Sequence, residues 1–169
     1  MKTDWETVYR ASYQDVVRFL ARKIWDEDRA EELAQEAFLR ALGQEPENPR
    51  AWIFHVAGNL ARDEARAVVR RKKHLALLRT ETEGASEASP TPVAELEARE
   101  ESERVRQALE GLAERDRDIL LLWDAGLSYA EIAEQTGLAA GAVGTTLARA
   151  RKRLVESHDS IGGTHAALG

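Results

Sequence analysis

Apolar residues recur along the chain at spacings of three and four, the repeat of a helix with one buried face. Trp5, Val8, Tyr9, Val16, Val17, Leu20 and Ile24 mark the first such stripe. Thr3, with Glu6 three residues on, predicts a capping box at its start. Leu33, Ala34, Ala37, Phe38, Ala41 and Leu42 mark a second stripe, predicted to begin at Asp28 with Glu31 as its reciprocal cap and to end at Gly43. After the loop "GQEPENP", Asn48 followed by Pro49 signals a third helix start. Trp52, Ile53, Val56, Ala57 and Leu60 would face inward there, and the helix runs on into "ARAVVRRKKH".

The pattern then stops. "TETEGASEASPTP" holds two prolines and almost nothing apolar, the composition of a flexible acidic linker over residues 80–92. The expected fold class is therefore all-α: two small helical domains, residues 1–79 and 93–156, on either side of it. In the second, Val105, Leu109 and Leu112 give one apolar side, and Ile119, Leu120, Leu122 and Trp123 another. Ser128 and Glu131 form a capping box before "YAEIAEQT". A last helix is expected to about Glu156, with residues 157–169 as a disordered tail.

The segment "YAEIAEQTGLAAGAVGTTLARAR" has the spacing of a helix-turn-helix. Ala133 is small where two helices would cross, and Gly137 suits a left-handed turn. Ile132, Leu138, Val143 and Leu147 would form the shared core. The second helix begins with small residues that permit close approach to a groove. Thr145 and Thr146 can donate to a base or touch a thymine methyl. Arg149, Arg151, Lys152 and Arg153 suit phosphate, which gives affinity without sequence reading.

Charge sharpens this. The formal net charge is −6, which argues against indiscriminate DNA binding. The sign alternates by segment: acidic over 26–36, basic over 62–79, acidic over 81–103, basic over 149–153. Different segments thus suit different partners. No run of about 18 apolar residues is present to span a membrane, and "MKTDWETVY" lacks the apolar stretch of a secretory signal. Cysteine is absent, which removes disulfides and thiolate zinc sites and fits the cytoplasm. His55, His74, His158 and His165 are scattered without metal-ligand spacing. No phosphate-cradling glycine loop follows a strand. The expectation is a binding protein rather than an enzyme, with no catalytic residue, cofactor or metal.

Three motifs in order then carry a resemblance. "LEGLAERDRDILLLWDAGLSYAEIAEQTGLAAGAVGTTLARARKRL" resembles region 4 of bacterial extracytoplasmic-function sigma factors. "DRAEELAQEAFLRAL" looks like their region 2.2, and "NPRAWIFHVAGNLARDEARAVVRRKKH" like regions 2.3 and 2.4. Together they cover most of residues 5–155. The resemblance implies an alternative sigma factor that binds core RNA polymerase and directs promoter-specific initiation. Asp28, Glu31, Glu32, Gln35, Glu36 and Arg40 would meet the polymerase clamp helices. Asn48, Asn59, Arg62, Asp63, Arg66, Arg70 and Arg71 would take the melted minus-ten element. Trp52 fits the core better than a stacking platform. Ala140, Gly141, Ala142, Gly144, Thr145, Thr146, Arg149, Arg151, Lys152 and Arg153 would meet the minus-thirty-five element, with region 4 also touching the polymerase flap. Two modest DNA contacts joined through polymerase gain strength from effective concentration. The resemblance also implies an anti-sigma partner. It implies neither membrane insertion nor a small-molecule substrate. Two other readings stay open: a conventional helix-turn-helix regulator, and a sigma-like decoy that binds polymerase or an anti-sigma factor without reading a promoter. Gly144 and Thr146, where the family often has Lys or Arg, motivate the decoy.

Overall fold

A computed structural model describes residues 2–79 and 92–166, with side chains to 162. Among the described residues there are seven helices and no strand: α1 (Trp5–Ile24), α2 (Glu27–Ala41), α3 (Pro49–Leu78), α4 (Val93–Glu110), α5 (Glu114–Asp124), α6 (Tyr129–Thr136) and α7 (Ala140–Ala166). Two compact units result, Met1–Glu83 with Asp124–Glu131, and Gly84–Trp123 with Ile132–Gly169. The expected acidic linker lies outside the described residues except for Pro92.

In the first unit, α1, α2 and α3 pack on one another. Val16, Phe19 and Leu20 of α1 meet a small-residue face of α2 (Ala30, Leu33, Ala34, Ala37, Phe38, Ala41) and the first half of α3 (Ala51, Ile53, Phe54, Ala57, Leu60, Ala61). The alanines let helix axes approach closely. The aromatics fill what remains, as in the edge-to-face pair Phe19–Phe54 at 5.4 Å. Phe19 and Phe54 were absent from the expected stripes, yet both are buried. Leu42, expected inside, is 63% exposed because it lies past the end of α2 in extended backbone. Within this unit Arg50 also lies 3.5 Å from the Asp15 carboxylate and donates to the Ala125 carbonyl oxygen at 2.9 Å.

The caps shift from the expected residues. Asp4, not Thr3, caps α1 by accepting from the Thr7 N–H. Asp26, not Asp28, caps α2 by accepting from the Arg29 N–H at 3.0 Å. The reason is Trp25, whose left-handed backbone (φ 56°) ends α1 and leaves only Asp26 before α2. Bulky residues rarely take that conformation, so the turn is invisible to composition. Asn48 does cap α3, with its side-chain oxygen accepting from the Ala51 N–H at 3.1 Å and Pro49 in the first turn.

In the second unit, α4 packs on α7. Its buried side chains include Ala108, Leu109, Leu112, Ile119, Leu121, Leu122, Ile132, Val143, Leu147 and Ala150. The expected disordered tail is helical as far as Ala166. His158 brings its Nε2 to 2.9 Å from Glu101 of α4, and a Cβ at Gly111 would meet Ser157 Oγ at 3.5 Å. That contact with α4 holds the helix beyond Glu156, where local composition favours fraying.

Candidate nucleic-acid interface

The α6–α7 hairpin forms as its sequence requires. Ser128 Oγ accepts from the Glu131 N–H at 3.2 Å, and the Ser128 N–H donates to the Glu131 carboxylate at 2.8 Å. This reciprocal pair starts α6. Gly137 takes φ +74° and ends it, the left-handed step that a side chain would strain. α7 then begins at Ala140.

On α7, Val143, Leu147 and Ala150 are buried. The helical repeat puts Gly141, Thr145, Arg149 and Lys152 on the opposite side, and all four are exposed. Ala142, Thr146 and Arg153 lie along one flank of this stripe, and Ala140, Gly144 and Arg151 along the other.

The residues expected to touch DNA therefore differ in freedom. Thr146 donates its hydroxyl to the Ala142 carbonyl oxygen at 2.8 Å, so its donor is spent within the helix. Thr145 remains the outward hydroxyl. Arg153 donates from Nη1 to Asp116 Oδ2 at 2.6 Å, and the Asp116 side chain is only 10% exposed. It braces α7 against α5. Arg151 lies over the Trp123 ring, 5.4 Å from its centroid. Arg149 and Lys152 are exposed on the central stripe.

α3 divides in the same way. Its buried residues all fall before Arg62, so its second half extends past the core of the three helices. Arg62, Asp63, Arg66 and Arg70 are exposed there. Arg71 turns the other way. It lies 3.2 Å from Glu64, which also accepts from Arg29 of α2 at 3.1 Å. Glu64 is 12% exposed, and the Arg29 guanidinium bonded to it holds its carboxyl below the usual value. Arg71 thus serves the α2–α3 junction. Asn48 sits at the N-terminus of α3 with its oxygen committed to the cap. Trp52 is half-buried, 5.7 Å from Trp5 between ring centroids.

On α2, Asp28, Glu31, Glu32, Gln35 and Arg40 are exposed, and Glu36 is half-buried. Arg29 pairs with Glu32 and Arg40 with Glu36, each at 2.7 Å. Leu39 follows Glu32, Gln35 and Glu36 on the same face and is 67% exposed. Its signal within "FLRAL" is a large apolar side chain outside the buried stripe.

Among the described residues the fold is all-helical, with a helix-turn-helix hairpin whose second helix carries exposed bases and a unit of three packed helices, the architecture of DNA-binding proteins of the helix-turn-helix class. The comparisons make this specific. The model of Sigma-70 region 2 matches residues 8–71, and that of Sigma-70, region 4, matches residues 102–154. RNA polymerase sigma factor YlaC of Bacillus subtilis (strain 168) is 31% identical over 156 residues, 88% of each chain. ECF RNA polymerase sigma factor SigC of Mycobacterium tuberculosis (strain CDC 1551 / Oshkosh) is 32% identical over 158 residues, 89% of this chain and 80% of the relative. Sigma factor RpoE from Bartonella quintana, solved with the anti-sigma factor NepR, superposes with a TM-score of 0.63 at 22% identity, over 91% of this chain and 96% of that one. CnrH, solved with the cytosolic domain of CnrY, gives 0.63 at 23% identity, over 92% and 88%. The chain belongs to the RNA polymerase sigma factors of the extracytoplasmic-function group. It is an alternative sigma factor, a transcription initiation factor whose partners are RNA polymerase and promoter DNA.

Proposed function

We propose that the two units divide promoter recognition. The α2 face of Asp28, Glu31, Glu32, Gln35, Glu36 and Arg40 binds the polymerase clamp helices, with Leu39 as an apolar contact beside it. The α3 face of Asn59, Arg62, Asp63, Arg66 and Arg70, with Asn48 at its N-terminus, takes the minus-ten strand. The outward stripe of α7 enters the minus-thirty-five major groove through Gly141 and Thr145, and Arg149 and Lys152 hold the backbone. The observation that carries this reading is the exposed second half of α3. Arg62, Arg66 and Arg70 lie there on helix that the core does not need, where a strand of phosphates can run.

The protein works by binding, without catalytic chemistry of its own, and in the cytoplasm where polymerase is. No helix among the described residues is long and apolar enough to cross a membrane, which fits that placement. An anti-sigma factor belongs to the same proposal. It would cover polymerase-facing or DNA-facing surface until the protein is needed.

Transcription with purified core polymerase tests the reading. Promoter-specific initiation supports it. Core binding without initiation favours the decoy, and DNA binding without core affinity favours a regulator. Replacing Glu32 and Gln35 together by Ala should weaken core binding about tenfold or more, since a minority of interface side chains carries most of the energy. Undiminished core affinity sinks the clamp assignment.

A further inference from the structure

His55, Asn59 and Arg62 stand at i, i+4 and i+7 on the exposed side of α3, and they are hydrogen-bonded in series. Arg62 Nη2 donates to Asn59 Oδ1 at 2.7 Å. A guanidinium only donates, so that contact fixes the orientation of the Asn59 amide. The amide nitrogen of Asn59 then faces His55 Nε2, 3.4 Å away, and donates to it. His55 Nε2 is therefore an acceptor, and its proton sits on Nδ1. One arginine thus sets an amide flip and a ring tautomer two turns away. A Cβ at Gly58 would lie 3.9 Å from the Arg62 guanidinium, an ordinary contact, so the arrangement does not depend on the glycine.

The unused valences of this strip are mostly donors. They are the Nδ1–H of His55, the second amide hydrogen of Asn59 and the free N–H groups of Arg62. Set against the C4 or C6 substituent of a base, a donor-rich strip accepts the carbonyl of thymine or guanine. It rejects the amino group that cytosine or adenine carries there, which would leave donor facing donor. The preset geometry also means that little ordering entropy is lost on binding.

We propose that His55, Asn59 and Arg62 act as one preset reader of an unpaired keto base, thymine or guanine, in the minus-ten strand, and that His55 is a specificity-determining residue of this protein. The proposal rests on the α3 face binding that strand. His55 contributes a directed N–H and a ring edge, Asn59 relays the orientation, and Arg62 anchors it while reaching the adjoining phosphate.

The test uses the full chain assembled with core polymerase. Binding of single-stranded minus-ten oligonucleotides is measured by anisotropy, with each position varied through the four bases. The expected result is one position at which a keto base is preferred over an amino base by about tenfold, the usual discrimination of directed base contacts. His55→Ala should reduce that preference to about threefold or less, mainly by weakening binding of the favoured strand about threefold, while the salt dependence set by the phosphate contacts is unchanged. His55→Asn, which keeps a donor at the δ position, should restore part of it. Asn59→Asp, which turns the centre of the strip into an acceptor, should move the preference towards amino bases. A strong base preference unmoved by His55→Ala overturns the strip and leaves the minus-ten assignment standing. A wild-type holoenzyme indifferent to the base at every position overturns both.

Discussion

Arg149 and Arg153 lie four residues apart on α7 and look alike in the sequence, but in the fold Arg153 is bonded to Asp116 while Arg149 is exposed on the outward stripe. Arg153 is bonded at 2.6 Å to a carboxylate whose side chain is 10% exposed, while its own guanidinium is 59% exposed. Replacing Arg153 by Ala leaves the Asp116 carboxylate poorly hydrated and unpaired. For a fully buried pair that loss is about 3–5 kcal/mol. Here the pair is half open to water, so about 1–2 kcal/mol is expected, close to the value of one hydrogen bond between charged groups. For a unit of this size 1 kcal/mol moves the melting temperature by roughly 4–8 °C. Arg153→Ala should therefore lower the second unit's melting point by about 5–15 °C while leaving the salt dependence of minus-thirty-five binding unchanged. Arg149→Ala should do the reverse. Its side chain is exposed, so stability should stay within about 0.5 kcal/mol. The slope of log K against log salt should become shallower by about 0.9, the value of one phosphate contact. Calorimetry of the free protein and a salt series with holoenzyme on one promoter fragment read the two quantities separately. A shallower slope for Arg153→Ala at an unchanged melting point refutes the brace and returns Arg153 to the DNA.

The junction between α2 and α3 has a pH signature. The Arg29 guanidinium bonded to Glu64 lowers its folded pKa, so its contribution is present above the unfolded value near 4.5 and is lost as pH falls through the lower folded value. Glu64→Gln should cost about 1–2 kcal/mol at neutral pH, and the difference from wild type in urea melts should shrink below about pH 4; an equal difference at pH 3 and pH 7 contradicts the charge argument. The last turns of α7 should matter as well: truncation after Glu156 removes Ser157 and His158 from α4 and should cost about 1 kcal/mol, several degrees in melting temperature, whereas an unchanged melt would mean that those turns carry no stability.

Elements set by local chemistry were legible in the sequence. Asn48 and Pro49, the Ser128–Glu131 box and Gly137 each specify backbone within a few residues, and the structure uses all of them in those roles. What sequence reasoning missed depends on packing across elements. The α1–α2 turn is set by Trp25 in a conformation that tryptophan seldom takes. Phe19 and Phe54, by contrast, follow the same helical repeat as Val16, Leu20 and Ala57, so the stripes named from the sequence are incomplete at these two positions although the repeat includes them. α7 continues to Ala166 although "SHDSIGGTHA" is a poor helix by itself, and at its start His158 meets Glu101 of α4, a contact between elements that local composition does not encode.

The candidate site shows the same division one level down. On both α3 and α7, one of the arginines that charge and spacing assign to DNA is engaged by a carboxylate within the fold. Arg71 faces Glu64 and Arg153 faces Asp116, each a carboxylate that the fold buries and has to neutralise. A buried acid fixes its base through three-dimensional proximity, seven residues away along α3 in one case and thirty-seven residues away in the other. No run of basic letters reveals which member is taken. The bases left over are those with no carboxylate to serve. Among the residues assigned to DNA, on α3 these are Arg66 and Arg70, with Arg62 held by a neutral amide, and on α7 they are Arg149 and Lys152 on the outward stripe, with Arg151 resting on an indole. A protein of net charge −6 can in this way present two exposed basic stripes, one on α3 and one on α7. Among the described residues its acids lie on helix caps, in internal pairs and on the exposed faces of α2 and α4, and the arginines without a carboxylate partner are gathered where the proposed strands of promoter DNA would run.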